Sequence, residues 1–203
     1  MDLIIVSLLS YLCGSIPFGL ILTKIFISRD IRKIGSGNIG ATNVLRTGNK
    51  FLAAFTLLLD ITKGFIPVLI TKNNLPELTQ ISCLLVFLGH IFPIWLNFKG
   101  GKGVATYLGI LLALSYQLSF LFIFTWVVIA LIFKYSSLSA MFASLTIFVI
   151  SFIKSNVLKF LEIKTDFDQD FNLILFIFFI LIIFTHRKNI LNLKNKTETK
   201  IKI

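Results

Sequence analysis

The sequence predicts an all-helical, polytopic integral membrane protein of about seven spans, and three observations predict it. Its apolar residues come in runs long enough to cross a bilayer core, which needs roughly 20 residues of helix. Of 203 residues, 56% are hydrophobic and 22 are phenylalanine, whereas a soluble domain is nearer half apolar and more often interrupted by charge. The basic residues stand mainly at the ends of the apolar runs, where the positive-inside rule places them. Backbone groups in hydrocarbon find no water, so each run must satisfy itself as a helix. Residues 1–203 are expected to form a single membrane-embedded domain, with no room for a separate soluble one.

The first run covers residues 3–27. Asp2 is the only charge ahead of it and no small-residue cleavage pattern follows, so it is expected to remain as a span rather than leave as a signal peptide. Gly14, Ser15, Pro17 and Gly19 interrupt it and mark a kink or a close helix approach. Residues 28–50 hold Arg29, Arg32, Lys33, Arg46 and Lys50 against one acid, Asp30. That imbalance predicts a cytoplasmic loop and an N-terminus outside.

The second run, residues 51–70, carries Asp60 and Lys63 at i,i+3, on one helix face, as an expected ion pair. Charges within a span face the protein interior. A brace between helices and a support beneath a substrate site both fit. Residues 71–78 are weakly charged, as an outer loop should be, and the third run, 79–96, returns to the cytoplasm.

Residues 104–133 are too many for one upright span and are interrupted at 115–119. Two more runs follow at 138–153 and 171–185. The tail, with Arg187, Lys188, Lys194, Lys196, Lys200 and Lys202, is expected in the cytoplasm. An even number of crossings must then separate it from Lys102, and dividing 104–133 in two gives seven spans. It also puts residues 154–170, with Glu162, Asp166, Asp168 and Asp170, outside. Five spans with one re-entrant stretch is the alternative.

The formal net charge is +11. Nucleic acid is not an expected partner, because no basic stripe is interleaved with exposed aromatics. Membrane lipids with anionic head groups and an anionic substrate suit the charge better. Cys13 and Cys83 lie far apart inside apolar runs and read as small buried hydrophobes. No metal-ligand spacing occurs, so neither metal nor cofactor is expected.

Three polar clusters interrupt this pattern. Residues 34–46 place Gly35, Gly37 and Gly40 among Ser36, Asn38, Thr42 and Asn43, and close with Arg46. Glycines let successive N–H groups turn toward one point and form a nest for an anion. The hydroxyls and amides add donors, and the guanidinium adds a planar fork suited to phosphate. Residues 97–106 form the second cluster, with Lys99, Gly100, Gly101, Lys102 and Gly103 ahead of a helix starting near Val104. They lack the Walker A spacing but hold the parts of an anion site. The third is Thr185, His186, Arg187, Lys188, Asn189 and Ile190. A histidine at a helix end is more often a cap than a catalyst. By the parity argument all three clusters share the cytoplasmic face, which makes the catalytic reading competitive.

Five stretches carry a family resemblance: Gly-Ser-Ile-Pro-Phe-Gly (14–19), Ser-Gly-Asn-Ile-Gly-Ala-Thr-Asn-Val-Leu-Arg (36–46), Gly-His-Ile-Phe-Pro (89–93), Lys-Gly-Gly-Lys-Gly-Val-Ala-Thr (99–106) and His-Arg-x-Asn-Ile (186–190). Together, and in this order along essentially the full chain, the sequence resembles the bacterial acyl-phosphate:glycerol-3-phosphate acyltransferases, the PlsY family. The resemblance implies a multi-pass enzyme of the bacterial inner membrane that moves a fatty acyl group from acyl phosphate to the sn-1 hydroxyl of glycerol 3-phosphate. Lysophosphatidic acid and phosphate would result, in the first step of phospholipid synthesis. The family's functional motifs fall here on Ser36, Thr42 and Arg46, on Lys99 to Gly103, and on His186 and Asn189. Ser36, Lys102, His186 and Asn189 are the catalytic candidates. Arg46, Thr42, Asn43, Asn38, Lys99, Gly100, Gly101 and Gly103 are the substrate-binding ones. The family tail continues with an arginine, a glycine and a glutamate; here Asn192 and Lys196 replace the first two and Glu198 keeps the third.

The residue types suit that chemistry on their own terms. Two phosphorylated substrates need two anion sites, and hydroxyl attack on an acyl phosphate builds charge on the carbonyl oxygen and the leaving phosphate. No Ser or Cys has a paired base, which argues for direct transfer. Either His186 or a substrate phosphate, with a second pKa near ~6, would take the hydroxyl proton. The His-x-x-x-x-Asp pattern of thioester-dependent acyltransferases is absent: Trp95 and Leu191 stand five residues after His90 and His186. A monomer is expected. A transporter of a phosphorylated anionic solute is the competing reading, but it would place charges and broken helices near the midplane. Here Asp60 and Lys63 alone lie clearly within a span.

Overall fold

The computed structural model describes residues 1–160 and 171–201, which hold helices and turns and no strand. The chain forms two compact units, Met1–Tyr116 and Gln117–Ile203.

The first unit begins with α1 (Asp2–Ser15) and α2 (Phe18–Ile27). The break between them follows from Pro17, which offers no N–H and forces its predecessor out of the helical region. Ile16 is extended, with φ −65° and ψ 116°. The short α3 (Ala41–Leu45) follows a loop, and α4 (Lys50–Asn74) is a long helix that absorbs Pro67. α5 (Thr79–Ile91) and α6 (Val104–Leu114) complete the unit.

α1 packs on α5 where Gly14 meets the backbone of Val86 and Gly89 meets that of Tyr11. Small residues at such crossings let membrane helices approach closely, since lipid gives no hydrophobic reason for them to associate. A buried Ser10–Ser82 hydrogen bond (2.8 Å) crosses the same interface. α4 and α6 meet in the same manner, Gly64 against Thr106 and Gly109 against Ile61. Lys72 Nζ donates to the carbonyls of Ala113 and Leu114, both at 3.0 Å, and so caps the C-terminal end of α6.

The second unit holds α7 (Tyr116–Phe133), whose first residue lies at the boundary, then α8 (Ser136–Phe160), α9 (Asn172–Thr185) and α10 (Arg187–Lys194). Phe148 and Phe176 pack at 5.1 Å between α8 and α9. Ser151 and Asn172 hydrogen-bond at 2.9 Å beside them. α9 and α10 meet at an angle of 58°.

Among the described residues, five helices are long and apolar enough to cross a membrane, or six if α9 and α10 count as one span. Large apolar side chains such as Leu9, Phe120 and Leu131 are exposed, as they are where lipid is the solvent. The chain is a multi-pass integral membrane protein. All seven expected runs are helical, and the break expected at 115–119 falls at Ser115, which is extended (φ −161°, ψ 121°). The count of seven spans is approximate because α6 has 11 residues. It rises about 16 Å at 1.5 Å per residue, roughly half a bilayer core. Residues 71–74, expected in a loop, continue α4 as helix. The acidic side chains at Glu162, Asp166, Asp168 and Asp170 lie outside the described residues.

Candidate active site

In the loop between α2 and α3, Asp30 starts a 3-10 turn by accepting from the Arg32 N–H at 3.0 Å. Its carboxylate also pairs with the Arg32 guanidinium at 2.6 Å. That hydrogen bond holds the Asp30 carboxyl well below the usual carboxylate range and pushes Arg32 up.

The loop closes around Asn43, which is 2% exposed. Its Nδ2 donates to the carbonyls of Ile31 (3.0 Å), Ile34 (2.9 Å) and Asn38 (2.7 Å). Its Oδ1 accepts the Ser36 N–H at 3.0 Å. Sequence reasoning expected Asn43 to donate to a bound anion; instead its amide is occupied within the loop, as an inner bracket. Asn38 does similar work, its Oδ1 accepting the Gly40 N–H at 2.9 Å.

This bracket sets what faces outward. Gly35 takes φ +54°, and a Cβ there would meet Asn43 Oδ1 and the Arg46 side chain. Arg46 therefore lies over the Gly35–Ser36 turn. Ser36, Thr42 and Arg46 are exposed. Among the described residues no acceptor takes the Arg46 guanidinium, so its fork is available to an oxyanion. Ile31, Ile39 and Val44 sit in the small apolar core that holds the loop to α2 and α4.

The second cluster folds onto the end of α5. The N–H groups of Gly100 and Gly101 donate to the carbonyls of Ile91 (3.1 Å) and His90 (3.0 Å). These two amides are thus occupied by the turn, and its charge comes from Lys99, which is exposed, and the half-buried Lys102. Asn97 and Phe98 precede Lys99 with φ of 49° and 60°. A phenylalanine in that region is strained, and such strain concentrates at functional sites. Gly103, at φ +85°, leads into α6 over the Phe87 ring.

In the second unit, His186 stands between α9 and α10 and is 2% exposed. Its Nδ1 lies 2.8 Å from the carbonyl of Ile182. A carbonyl only accepts, so Nδ1 carries a proton. Asn189 Nδ2 donates to Glu198 Oε1 at 2.6 Å, Ser137 Oγ to the same oxygen at 2.8 Å, and Asn192 Nδ2 to Oε2 at 3.3 Å. The turn that brings Glu198 back is a Schellman motif. Thr197 N–H donates to Asn192 O (2.8 Å) and Lys196 N–H to Leu193 O (3.2 Å). Lys196 occupies its left-handed position at φ 58°, where glycine is preferred.

Each unit thus assembles its own expected residues: Ser36, Asn38, Thr42, Asn43 and Arg46 in one loop and Lys99 to Gly103 in another; His186 and Asn189 at one helix junction. Sequence reasoning gave no role to Glu198, although its place in the tail motif was a signal, nor to His90, which lies under Gly101.

The model of the glycerol-3-phosphate acyltransferase family matches residues 4–196. The chain is 55% identical over 205 residues to the glycerol-3-phosphate acyltransferase of Pelagibacter ubique (strain HTCC1062), covering 100% of both chains. It is 48% identical over 201 residues to that of Mesorhizobium japonicum, covering 98% of this chain and 96% of the relative. Among solved structures it is similar to PlsY, an integral membrane glycerol 3-phosphate acyltransferase, in its glycerol 3-phosphate form. The TM-score is 0.89 at 32% identity, over 100% of this chain and 96% of the other. The lysophosphatidic acid form of PlsY gives 0.86 at 31% identity, with the same coverage.

Proposed function

The chain belongs to the glycerol-3-phosphate acyltransferase family, and from that premise we propose that its acyl donor is an acyl phosphate. It is an acyltransferase of phospholipid synthesis acting on glycerol 3-phosphate. In the full reaction, the sn-1 hydroxyl attacks the acyl carbonyl carbon, the bond from that carbon to the phosphate oxygen breaks, and lysophosphatidic acid and inorganic phosphate leave. The chain works in the bacterial inner membrane, N-terminus outside and C-terminus in the cytoplasm, as a monomer and as one functional domain across both units.

The observation that carries this reading is Arg46 laid over the Gly35–Ser36 turn, exposed and, among the described residues, without an acceptor. Two phosphorylated reactants need two cationic loops. Arg46 with the hydroxyls of Ser36 and Thr42 serves one phosphate, and Lys99 with Lys102 serves the other. Asn38 and Asn43 shape the first loop; Gly100, Gly101 and Gly103 shape the second. With phosphate as the leaving group, positioning supplies much of the rate.

Two groups compete for the hydroxyl proton: His186, and a substrate phosphate ionising near ~6. A His186→Gln variant retains the second group only. The donor is tested by offering the purified protein palmitoyl phosphate and a palmitoyl thioester in turn, with glycerol 3-phosphate. Lysophosphatidic acid formed from palmitoyl phosphate alone is the expected result. Formation from the thioester alone would overturn the donor assignment.

A further inference from the structure

Beneath the glycine turn lies a set of charges to which the reading above gives no role. Asp60, Lys63 and His90 are 2%, 3% and 4% exposed. Lys63 Nζ meets Asp60 Oδ1 at 2.7 Å and donates to the Ile16 carbonyl, freed by the break before Pro17, also at 2.7 Å. From the other side His90 Nδ1 faces the same Asp60 oxygen at 3.9 Å, beyond hydrogen-bond range. His90 Nδ1 makes no hydrogen bond among the described residues.

His90 then touches the turn twice. Its carbonyl accepts the Gly101 N–H at 3.0 Å. The Nε2 edge of its ring fills the space a Cβ at position 101 would need. A continuous path of packed groups therefore runs from Ile16 through Lys63, Asp60 and His90 to Gly101. It joins the break in the first span, α4 and the end of α5 to the turn that carries Lys99 and Lys102.

Stability alone gives poor reason for this arrangement. Buried ion pairs are often no more stable than apolar replacements of the same shape. An unsatisfied buried Nδ1 is destabilising in its own right. Local violations of this kind belong where geometry serves a function.

We propose that Asp60, Lys63 and His90 are positioning residues for acyl transfer, fixing the Gly101 turn and with it Lys99 and Lys102 where a phosphate is held. This rests on the reading that the turn serves a phosphate. Asp60 packs beneath the His90 ring, Lys63 ties Asp60 to the first span, and the ring sets the height of the turn.

The test compares wild-type protein with Asp60→Asn and His90→Gln, and with Asp60→Asn/Lys63→Met, which leaves no buried charge unpaired should the single variant fail to fold. Hydrogen exchange is followed on the segment 97–106, alongside thermal unfolding and steady-state kinetics. The proposal expects exchange there to quicken about tenfold while unfolding temperature moves little. It also expects kcat to fall 10- to 100-fold, and the Asp60→Asn/His90→Gln double variant to be no worse than the poorer single one. A brace without a positioning role would lower the unfolding temperature and leave both exchange at 97–106 and kcat per folded molecule unchanged, which would overturn the proposal. If the wild-type protein turns over no palmitoyl phosphate, the donor assignment fails, and exchange at 97–106 still decides the positioning role.

Discussion

Asn189 and Glu198 are joined by a 2.6 Å hydrogen bond from the Asn189 amide to the Glu198 carboxylate. The same carboxylate gathers Ser137 and Asn192. Glu198 thereby fixes the orientation of Asn189 three residues beyond His186. Replacing Glu198 with Ala removes a charge-assisted anchor, at roughly 1–2 kcal/mol. Activity is expected to fall at least tenfold, and Glu198→Gln, which keeps an acceptor oxygen, to recover part of it. Kinetics on both variants at matched folded fraction check this.

Lys196 sits where the family pattern has glycine, at φ 58° in the left-handed position of the Schellman turn. Lys196→Gly relieves that backbone, and an increase of about 1 kcal/mol in stability is expected with unchanged kcat. Thermal unfolding measures it; an equal or lower stability contradicts the assignment.

Asn43 brackets its loop through bonds to Ile31, Ile34, Asn38 and Ser36. Asn43→Ala leaves those buried groups unsatisfied, and a loss of roughly 2–4 kcal/mol is expected. Asn43→Asp should be no better, because its second oxygen would face three carbonyls. Ser36→Ala removes only an exposed hydroxyl, so it should cut turnover while leaving stability within about 0.5 kcal/mol. Unfolding curves and rates, measured together, separate the two.

The Asp30–Arg32 pair gives a pH signature. Arg32 holds the Asp30 carboxyl well below its ordinary value, so its contribution to stability is present above the unfolded pKa near ~3.9 and is lost as pH falls through the lower folded value. Asp30→Asn should lower loop protection at neutral pH toward its acid-side level and so remove the decline with falling pH. The pair is exposed, so added salt should shrink the difference. Hydrogen exchange over residues 28–36 between pH 5 and 3 reads it.

How much of this was legible in the chain differs by residue. The break at Ser115, the kink before Pro17 and the Asp60–Lys63 pair all follow from local sequence, through composition, proline geometry and helical spacing. The destination of the Lys63 ammonium does not, because Ile16 is 47 residues away and backbone carbonyls leave no trace in side-chain patterning. Asn43 looked like a donor for the same reason: a buried and an exposed asparagine read alike until the loop carbonyls are in place. Lys72 was read as a loop residue because α4 extends past its apolar run, and it does so while capping α6.

The most direct measurement is the parallel release of inorganic phosphate and lysophosphatidic acid from palmitoyl phosphate and glycerol 3-phosphate, for wild-type protein and Arg46→Ala. We expect equal amounts of the two products from wild type, none without glycerol 3-phosphate, and a loss of at least 100-fold in the folded variant. Phosphate release without lysophosphatidic acid, or an Arg46→Ala variant as active as wild type, would contradict the account.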